Sequence, residues 1–463
     1  MKKLWQKTKE GDSDYPTIKL VEDFTVGNDP QVDIFILQDD CAASIAHAGA
    51  LLKAQLLSED EFRDLHRGLR QIIELNEEGR FVIEKAQEDC HTAIEQWLTK
   101  NIGAVGKKIH LGRSRNDQVL TAVRLFSRRK ILELTSKLIE LTSLLLEEAK
   151  KYSNCPMPGY THTQPAMPMT LGLFLSAYLE DLLDDVRCLE YAYAMNNQSP
   201  LGSAAGFGSV LDLDRDFTCD FLGFDRLQIN SLYCQNSRGK MEGLVLNALL
   251  TLQNSLSKFA NDLIRFNSRE LSFLSLDDEV TTGSSIMPQK RNPDVLELIR
   301  AKAATLWGAR AAIQNLATNL PSGYNRDFQL AKAPLVESFQ VSLSSAEMTK
   351  LVLEKSSWNE EPMLRACSKE IYAADIALER SQGGVPFRDA YSLALSELEN
   401  VEIDGEFIKS RVAKYRTKGS MGRPGFDLLS QRIAEAREKT EAWHATEESL
   451  ARRLLSPEEA DVL

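Results

Sequence analysis

A chain of 463 residues, 43% of them hydrophobic, can bury a large core, and by length alone it could divide into two or three domains. Its formal net charge of −12 argues against nucleic acid or an anionic membrane surface as partner, because a phosphate backbone is bound by concentrated Lys and Arg. A small anionic ligand stays open, since a local basic pocket can exist on an acidic protein.

The first residues, MKKLWQKTKEGDSDYP, lack the apolar centre of a signal peptide, and no run approaches the ~20 apolar residues of a membrane span. A soluble, cytoplasmic protein is expected. Residues 1–108 read as shorter segments forming an N-terminal domain. The seven cysteines are scattered without a C-x-x-C pair, which predicts buried free thiols and neither a disulfide framework nor a zinc site.

The longest pattern follows. No glycine or proline falls between Arg113 and Cys155, and Ile131, Leu134, Leu138, Leu141 and Leu145 recur at alternating spacings of three and four. A second row, Leu132, Ile139 and Leu146, widens the apolar face beyond a two-stranded coiled coil. The spacing predicts a helix from about Asp117 to Lys150, roughly 50 Å long at ~1.5 Å per residue. Leu173–Ser199 is the next candidate. Leu244–Thr282 repeats the pattern at Leu249, Leu252, Leu256, Phe259 and Leu263. Pro293–Asn319, opened by a proline suited to the first helical position, and Leu335 to about Trp358 complete five long helices. Alternating strand patterns are few, so the fold class is mainly α: an elongated central helical bundle at 109–360, with a smaller C-terminal domain at 361–463. Apolar stripes in this number need partners, which predicts a homo-oligomer whose subunits pack helix on helix.

Three polar segments interrupt the helical text. In HLGRSRNDQV (His110–Val119), Ser114 or Asn116 can cap the long helix, but two arginines with Asn116, Asp117 and Gln118 are more than a cap needs. Backbone N–H groups at a helix start, with arginines beside them, form a natural carboxylate site. GYTHTQPAMPMTLG (Gly159–Gly172) reads as a proline-containing loop between two long helices. A lone His162 there would be unremarkable, yet Thr161, His162, Thr163 and Gln164 make a run of donors and acceptors. The third segment, TTGSSIMPQKRNPD from Thr281, can be a flexible surface loop leading into a helix. Alternatively, Ser284 can act in proton transfer if neighbouring N–H groups and a cation stabilise its alkoxide, while Lys290 and Asn292 bind a carboxylate. A loop that shuts over its ligand would also exclude water.

GSSIMPQKRNPD resembles the signature of the fumarase/aspartase superfamily. GRSRNDQ, EDCHTAIE from Glu88, GYTHTQPAMP and YNRDFQLAK from Tyr324 look like the versions found in its argininosuccinate lyase branch. The likeness runs from about Phe24 to the GVPFR segment and beyond. It implies a mostly helical subunit whose central bundle assembles into a homotetramer, with each active site built from three chains. The implied reaction is reversible cleavage of argininosuccinate to arginine and fumarate, without metal or organic cofactor. Carried over by motif, Ser284 is the candidate base, Lys290 and Asn292 stabilise the carboxylate, and His162 is the partner acid or a relay to it. Glu297 would orient and charge the imidazole. Ser284 and His162 both have claims to the base role. The same resemblance has Ser114, Arg115, Asn116, Thr161, Tyr324, Gln329 and Lys332 binding substrate, with His91 lining the site.

Some residues depart from the pattern. YNRDFQLAK has Phe328, Leu330 and Ala331 where many members read LQED, and FTVGNDPQVD is unlike the commonest form, so Asn28 and Asp29 receive no substrate contact. Rival readings are another fumarate-releasing lyase (fumarase, aspartase or adenylosuccinate lyase) and a noncatalytic crystallin-like protein. PQK rather than PGK or PHK speaks against the first, and an intact proton-transfer set against the second.

Overall fold

The computed structural model describes residues 16–399 and 404–455. Its N-terminal part comprises α1 (Pro16–Val26), α2 (Leu37–Lys53), α3 (Glu59–Glu77) and α4 (Cys90–Ile102). A long helix, α5 (Arg115–Lys151), then leads to the strands β1 (Pro156–Thr161) and β2 (Gln164–Thr170). After them come α6 (Leu171–Asn196), α7 (Lys240–Asn267), α8 (Asp294–Leu316) and α9 (Lys332–Glu354). These five long helices are the bundle the sequence predicts. Helix α7 lies along both α6 and α8, α6 along α5, and α9 closes the bundle against α5, α7 and α8. The predicted seam is its core: Leu134, Leu138, Leu141 and Leu145 are fully buried, as are Leu249, Leu252, Leu256 and Leu263. Each such leucine contributes about 1.5–3 kcal/mol by leaving water.

Helix ends follow local chemistry. Ser114 caps α5, accepting from Asn116 N at 3.3 Å while Asp117 Oδ1 accepts from Ser114 N at 3.0 Å, a reciprocal capping box. The second oxygen of buried Asp117 takes the N–H groups of Gly202 and Ala204, which fastens this turn to the loop beyond α6. Helix α7 ends at Asn267, well short of Thr282. Phe273 N turns back to Phe266 O at 2.9 Å, and Ser272 takes a positive φ of 51°, so the chain leaves the helix despite containing no glycine or proline there. A short strand, β3 (Leu274–Leu276), follows and pairs with β4 (Ser356–Trp358), which takes the last residues expected in α9. Pro293 sits at the cap of α8, one residue before the predicted position.

GYTHTQPAMPMTLG is not an open loop. Residues 156–170 form an antiparallel hairpin whose two-residue turn, His162 and Thr163, has φ of 52° and 63°. Both turn residues are left-handed, as a primed two-residue turn demands. Prolines are tolerated because a two-stranded ribbon has only edge strands.

The C-terminal part holds α10 (Phe387–Glu399) and a satellite core around Ile371, Tyr372, Ala390, Ala394 and Ile408. Its last helix, α11 (Phe426–Leu455), returns to α5 and α6, where Trp443 stacks on Tyr193 with ring centroids 3.8 Å apart. Six cysteines are buried free thiols, whereas Cys188 is exposed.

Candidate active site

A cleft of about 330 Å³ opens where five parts of the chain converge. The start of α4 supplies Asp89 and His91, and the start of α5 supplies Arg115 and Asn116. Arg238 comes from the turn before α7, and Tyr324, Arg326, Gln329 and Lys332 from the segment entering α9. Glu88, Val119, Val26 and Asp29 complete the walls. The helix starts aim backbone N–H groups and the positive ends of their dipoles at this region.

Charge is distributed unevenly. Buried Lys332 lies 2.5 Å from Asp33 and 3.1 Å from Asp29. Burial works against its charge, but the two carboxylates outweigh that and hold its pKa above the ordinary lysine value. Asp33 is the nearer partner. Burial pushes the Asp29 carboxyl up to about 6, and the Asp33 charge adds to this against the pull of Lys332. Arg115 is held by Asp89 at 3.0 Å and by Thr92 Oγ1 at 2.6 Å. Asp89 also caps α4 by accepting from Thr92 N.

Behind the cleft, His91 Nδ1 stands 2.8 Å from Asp40 Oδ2. Burial disfavours the charged imidazole, yet the Asp40 carboxylate beside it raises the His91 pKa overall. Asp40, Cys90 and His91 offer three ligand atoms within 4.8 Å of one another. Those atoms are already committed: Asp40 and His91 bond each other, Arg113 stands 3.9 Å from the second Asp40 oxygen, and burial pushes the Cys90 thiol well up, away from the thiolate a metal would need. The donor set fits a hydrogen-bonded support for His91. Arg113, which can read as a solvated residue, has a buried side chain that donates to Ser44 Oγ at 2.9 Å.

The other predicted residues gather elsewhere. Thr161 and His162 are exposed at the hairpin tip, which Arg265, near the end of α7, holds by donating to Thr163 O at 3.2 Å. Ser284, Lys290 and Asn292 lie on a loop closed by paired backbone bonds between Thr282 and Asn292, with Glu297 in the first turn of α8. Ser284 Oγ accepts from Met287 N at 3.1 Å and Ile286 N at 3.3 Å. Arg291 is exposed and forms a surface ion pair with Asp278 at 2.7 Å.

Within one chain the two groups are far apart. Helix α5, 37 residues and so roughly 55 Å long, carries the chain from Asn116 at the cleft to the hairpin at the other end. Helix α8, 23 residues and roughly 35 Å, separates the serine loop from Tyr324. The structure therefore brings together His91, Arg115, Asn116, Tyr324, Gln329 and Lys332. It leaves Ser284, His162, Lys290, Glu297, Thr161 and Asn292 at the opposite end. Ser114 caps α5 and is absent from the cleft wall, and among the described residues no hydrogen bond or ion pair joins His162 to Glu297.

The sequence reading missed Asp29, Glu88, Asp89, Arg238 and Arg326. Asp29 lies in FTVGNDPQVD, which departs from the commonest form, and Glu88 and Asp89 stand inside EDCHTAIE with no pattern that gives them a role. Arg238 stands inside the polar run QNSRGK, which reads as an ordinary turn before the α7 pattern.

A family model described as a lyase matches residues 15–308. Argininosuccinate lyase of Bacteroides fragilis (strain YCH46) is 41% identical over 428 residues, spanning 92% of this chain and 94% of the relative. That of Thermotoga neapolitana is 40% identical over 391 residues, spanning 84% and 97%. Among solved structures, EDDS lyase in complex with formate superposes with a TM-score of 0.79 at 23% identity, covering 95% of this chain and 96% of that one. The fumarate lyase:delta crystallin from Brucella melitensis bound to cobalt gives 0.70 at 19% identity, covering 91% and 94%. At these identities the superpositions establish the fold, a mostly helical one.

Proposed function

The chain belongs to the argininosuccinate lyase family, and we propose that the cleft is one part of a composite active site that other copies of the chain complete. The reaction is the reversible elimination of argininosuccinate to L-arginine and fumarate, a step of arginine biosynthesis. A base takes a proton from the carbon next to a carboxylate, giving a doubly charged aci-carboxylate, and the C–N bond then breaks as the guanidinium leaves.

The observation that carries the assignment of roles is the placement of Ser284 Oγ against two backbone N–H groups, at 3.1 and 3.3 Å. Donors fixed before reaction stabilise an alkoxide at that oxygen without reorganisation. Ser284 is thus the base we favour, with His162 as the acid or relay, although the reverse assignment uses the same groups. Lys290 and Asn292 take the charge that develops on the carboxylate. Arg115, Asn116, Thr161, Tyr324, Gln329 and Lys332 hold substrate, with Ser114 shaping the helix start and His91 the floor. Glu297 would charge the imidazole across a subunit boundary.

A composite site requires assembly, and α8 has the surface for it. Leu298, Ala301, Thr305, Gly308 and Ala312 form an exposed row at alternating spacings of three and four, and Trp307 beside it is 53% exposed. No charged residue interrupts that row, which suits packing against a second copy. The proposal includes a homotetramer, a cytoplasmic location, and domains at 1–108, 109–360 and 361–463. No helix among the described residues is long and apolar enough to cross a membrane.

The test follows fumarate by ultraviolet absorbance when the protein meets argininosuccinate, with malate, aspartate and adenylosuccinate as rivals. Argininosuccinate alone should turn over, and Ser284→Ala should lower kcat by roughly 10²-fold or more while leaving the melting temperature unchanged. Turnover of a rival substrate would overturn the substrate assignment. Full activity in Ser284→Ala would move the base role to His162.

A further inference from the structure

Resting on the reading of His162 as acid or relay, we propose that Arg265 is a positioning residue for this imidazole, clamping the turn that carries it to the end of α7. The Arg265 guanidinium lies over the Tyr160 ring, 4.1 Å from its centroid, and donates to Thr163 O at 3.2 Å. One side chain thus grips the hairpin on both sides of His162, two residues before it and one after.

The hairpin has little of its own to fix that turn. Pro156, Pro158, Pro165 and Pro168 have no N–H to give to its ladder. The register also shifts between Gly159 and Tyr160, so the pairs Tyr160–Pro165 and Thr161–Gln164 stand between that irregularity and the turn. His162 and Thr163 then take φ of 52° and 63°. A left-handed backbone is costly for a residue with a Cβ, above all for a β-branched one, and it persists where the surroundings hold it. Primed turns usually meet this demand with Asn-Gly, whereas histidine and threonine stand here. The strain therefore falls on the residue the chemistry uses.

An arginine in a last helical turn is unremarkable by itself, since it complements the helix dipole. Arg265 differs in what its side chain touches. Tyr160 is half-buried and packs on the main core, so the ring beneath the guanidinium is itself held. Leu263 and Phe266, to either side of Arg265, are buried and fix the end of α7. The clamp ties a strained turn to a rigid element. Such fixing matters for rate, because a misplacement of ~1 Å at a reacting group can cost on the order of 10²-fold.

The experiment is a double-mutant cycle on argininosuccinate cleavage with the wild type, Arg265→Met, His162→Asn and the double variant, and with Arg265→Lys beside them. Asparagine tolerates the left-handed turn and removes the imidazole. Arg265→Met should lower kcat by about 10–100-fold and raise KM no more than about threefold, with native mass and melting temperature close to wild type. Arg265→Lys, which keeps a cation but loses the fork, should fall between. In the His162→Asn background the same Met substitution should have almost no further effect on kcat, because the group it positions is gone. Hydrogen exchange across residues 156–170 should quicken in Arg265→Met while α7 stays as protected as before. Equal losses of kcat in both backgrounds, a loss confined to KM, full activity of Arg265→Met, or its failure to reach the native mass would each overturn the proposal. Full activity of His162→Asn would remove the histidine role itself, and the proposal with it, whatever Arg265→Met does.

Discussion

Lys332 cannot serve two buried carboxylates equally, and Asp33, 2.5 Å away, takes the ion pair ahead of Asp29. The outcome for Asp29 is a pKa of about 6, raised first by burial. In the folded chain this group therefore holds a proton between about pH 4 and 6, where the unfolded chain has lost it. Its contribution to stability is present at low pH and is lost as pH rises through the folded value. Between pH 5 and 8 the wild type should lose ~1.4 kcal/mol from this site, which Asp29→Asn, permanently neutral, should not. Urea unfolding of both proteins at the two pH values checks this. A gap between them that stays constant would mean that Asp29 is ionised and fully paired by Lys332. Nothing in FTVGNDPQVD announces such a residue, because its role depends on a lysine some three hundred positions later. Residues placed by local chemistry were more legible: Ser114 is a cap because the four residues from Ser114 to Asp117 suffice to make one.

Elements were readable where a single periodicity ran through them and less so at their ends. The α5 seam repeats often enough that its limits, Arg115 and Lys151, fall within two residues of expectation. The end of α7 was not, since the Phe273–Phe266 bond that turns the chain back, and the pairing of β3 with distant β4, are tertiary facts. The hairpin was hidden by its own prolines, which usually signal loops and are tolerated here because each strand has a free edge. What keeps that hairpin at the bundle end is the close packing of α6 on α5. Gly172, in the first turn of α6, faces Ala149 O and the backbone of Ser153, and a Cβ added there would lie 2.7 Å from Ser153 Cα. Backbone cannot yield as a flexible side chain does, so Gly172→Ala should cost about 1–3 kcal/mol. Thermal unfolding should show a melting temperature several degrees lower. An unchanged value would mean that the two helices can slide apart at that turn without loss.

At the scale of the whole molecule, the arrangement explains why a single chain has a substrate cleft at one end of its bundle and a serine loop with a histidine hairpin at the other. A rod of helices roughly 35–55 Å long keeps these groups apart, but rods packed antiparallel bring the end of one against the opposite end of its neighbour. The sequence hinted at this through more apolar stripes than one bundle needs, although which stripe faces a partner was visible only once α8 showed an uncharged outer row. If the site is composite, two separately inactive variants should rescue each other. Asn116→Ala damages the cleft and Ser284→Ala the serine loop. When the two proteins are dissociated, mixed in equal amounts and reassembled, a site draws an intact cleft half the time and an intact loop half the time. Activity should recover to about a quarter of wild type, with each variant alone near background. Recovery would also scale with the product of the two fractions across a mixing series, peaking at equal amounts. A mixture that reassembles to the native mass yet stays at background would place both groups of residues in the same chain, and the bundle would then have to bend or unfold locally for catalysis to occur.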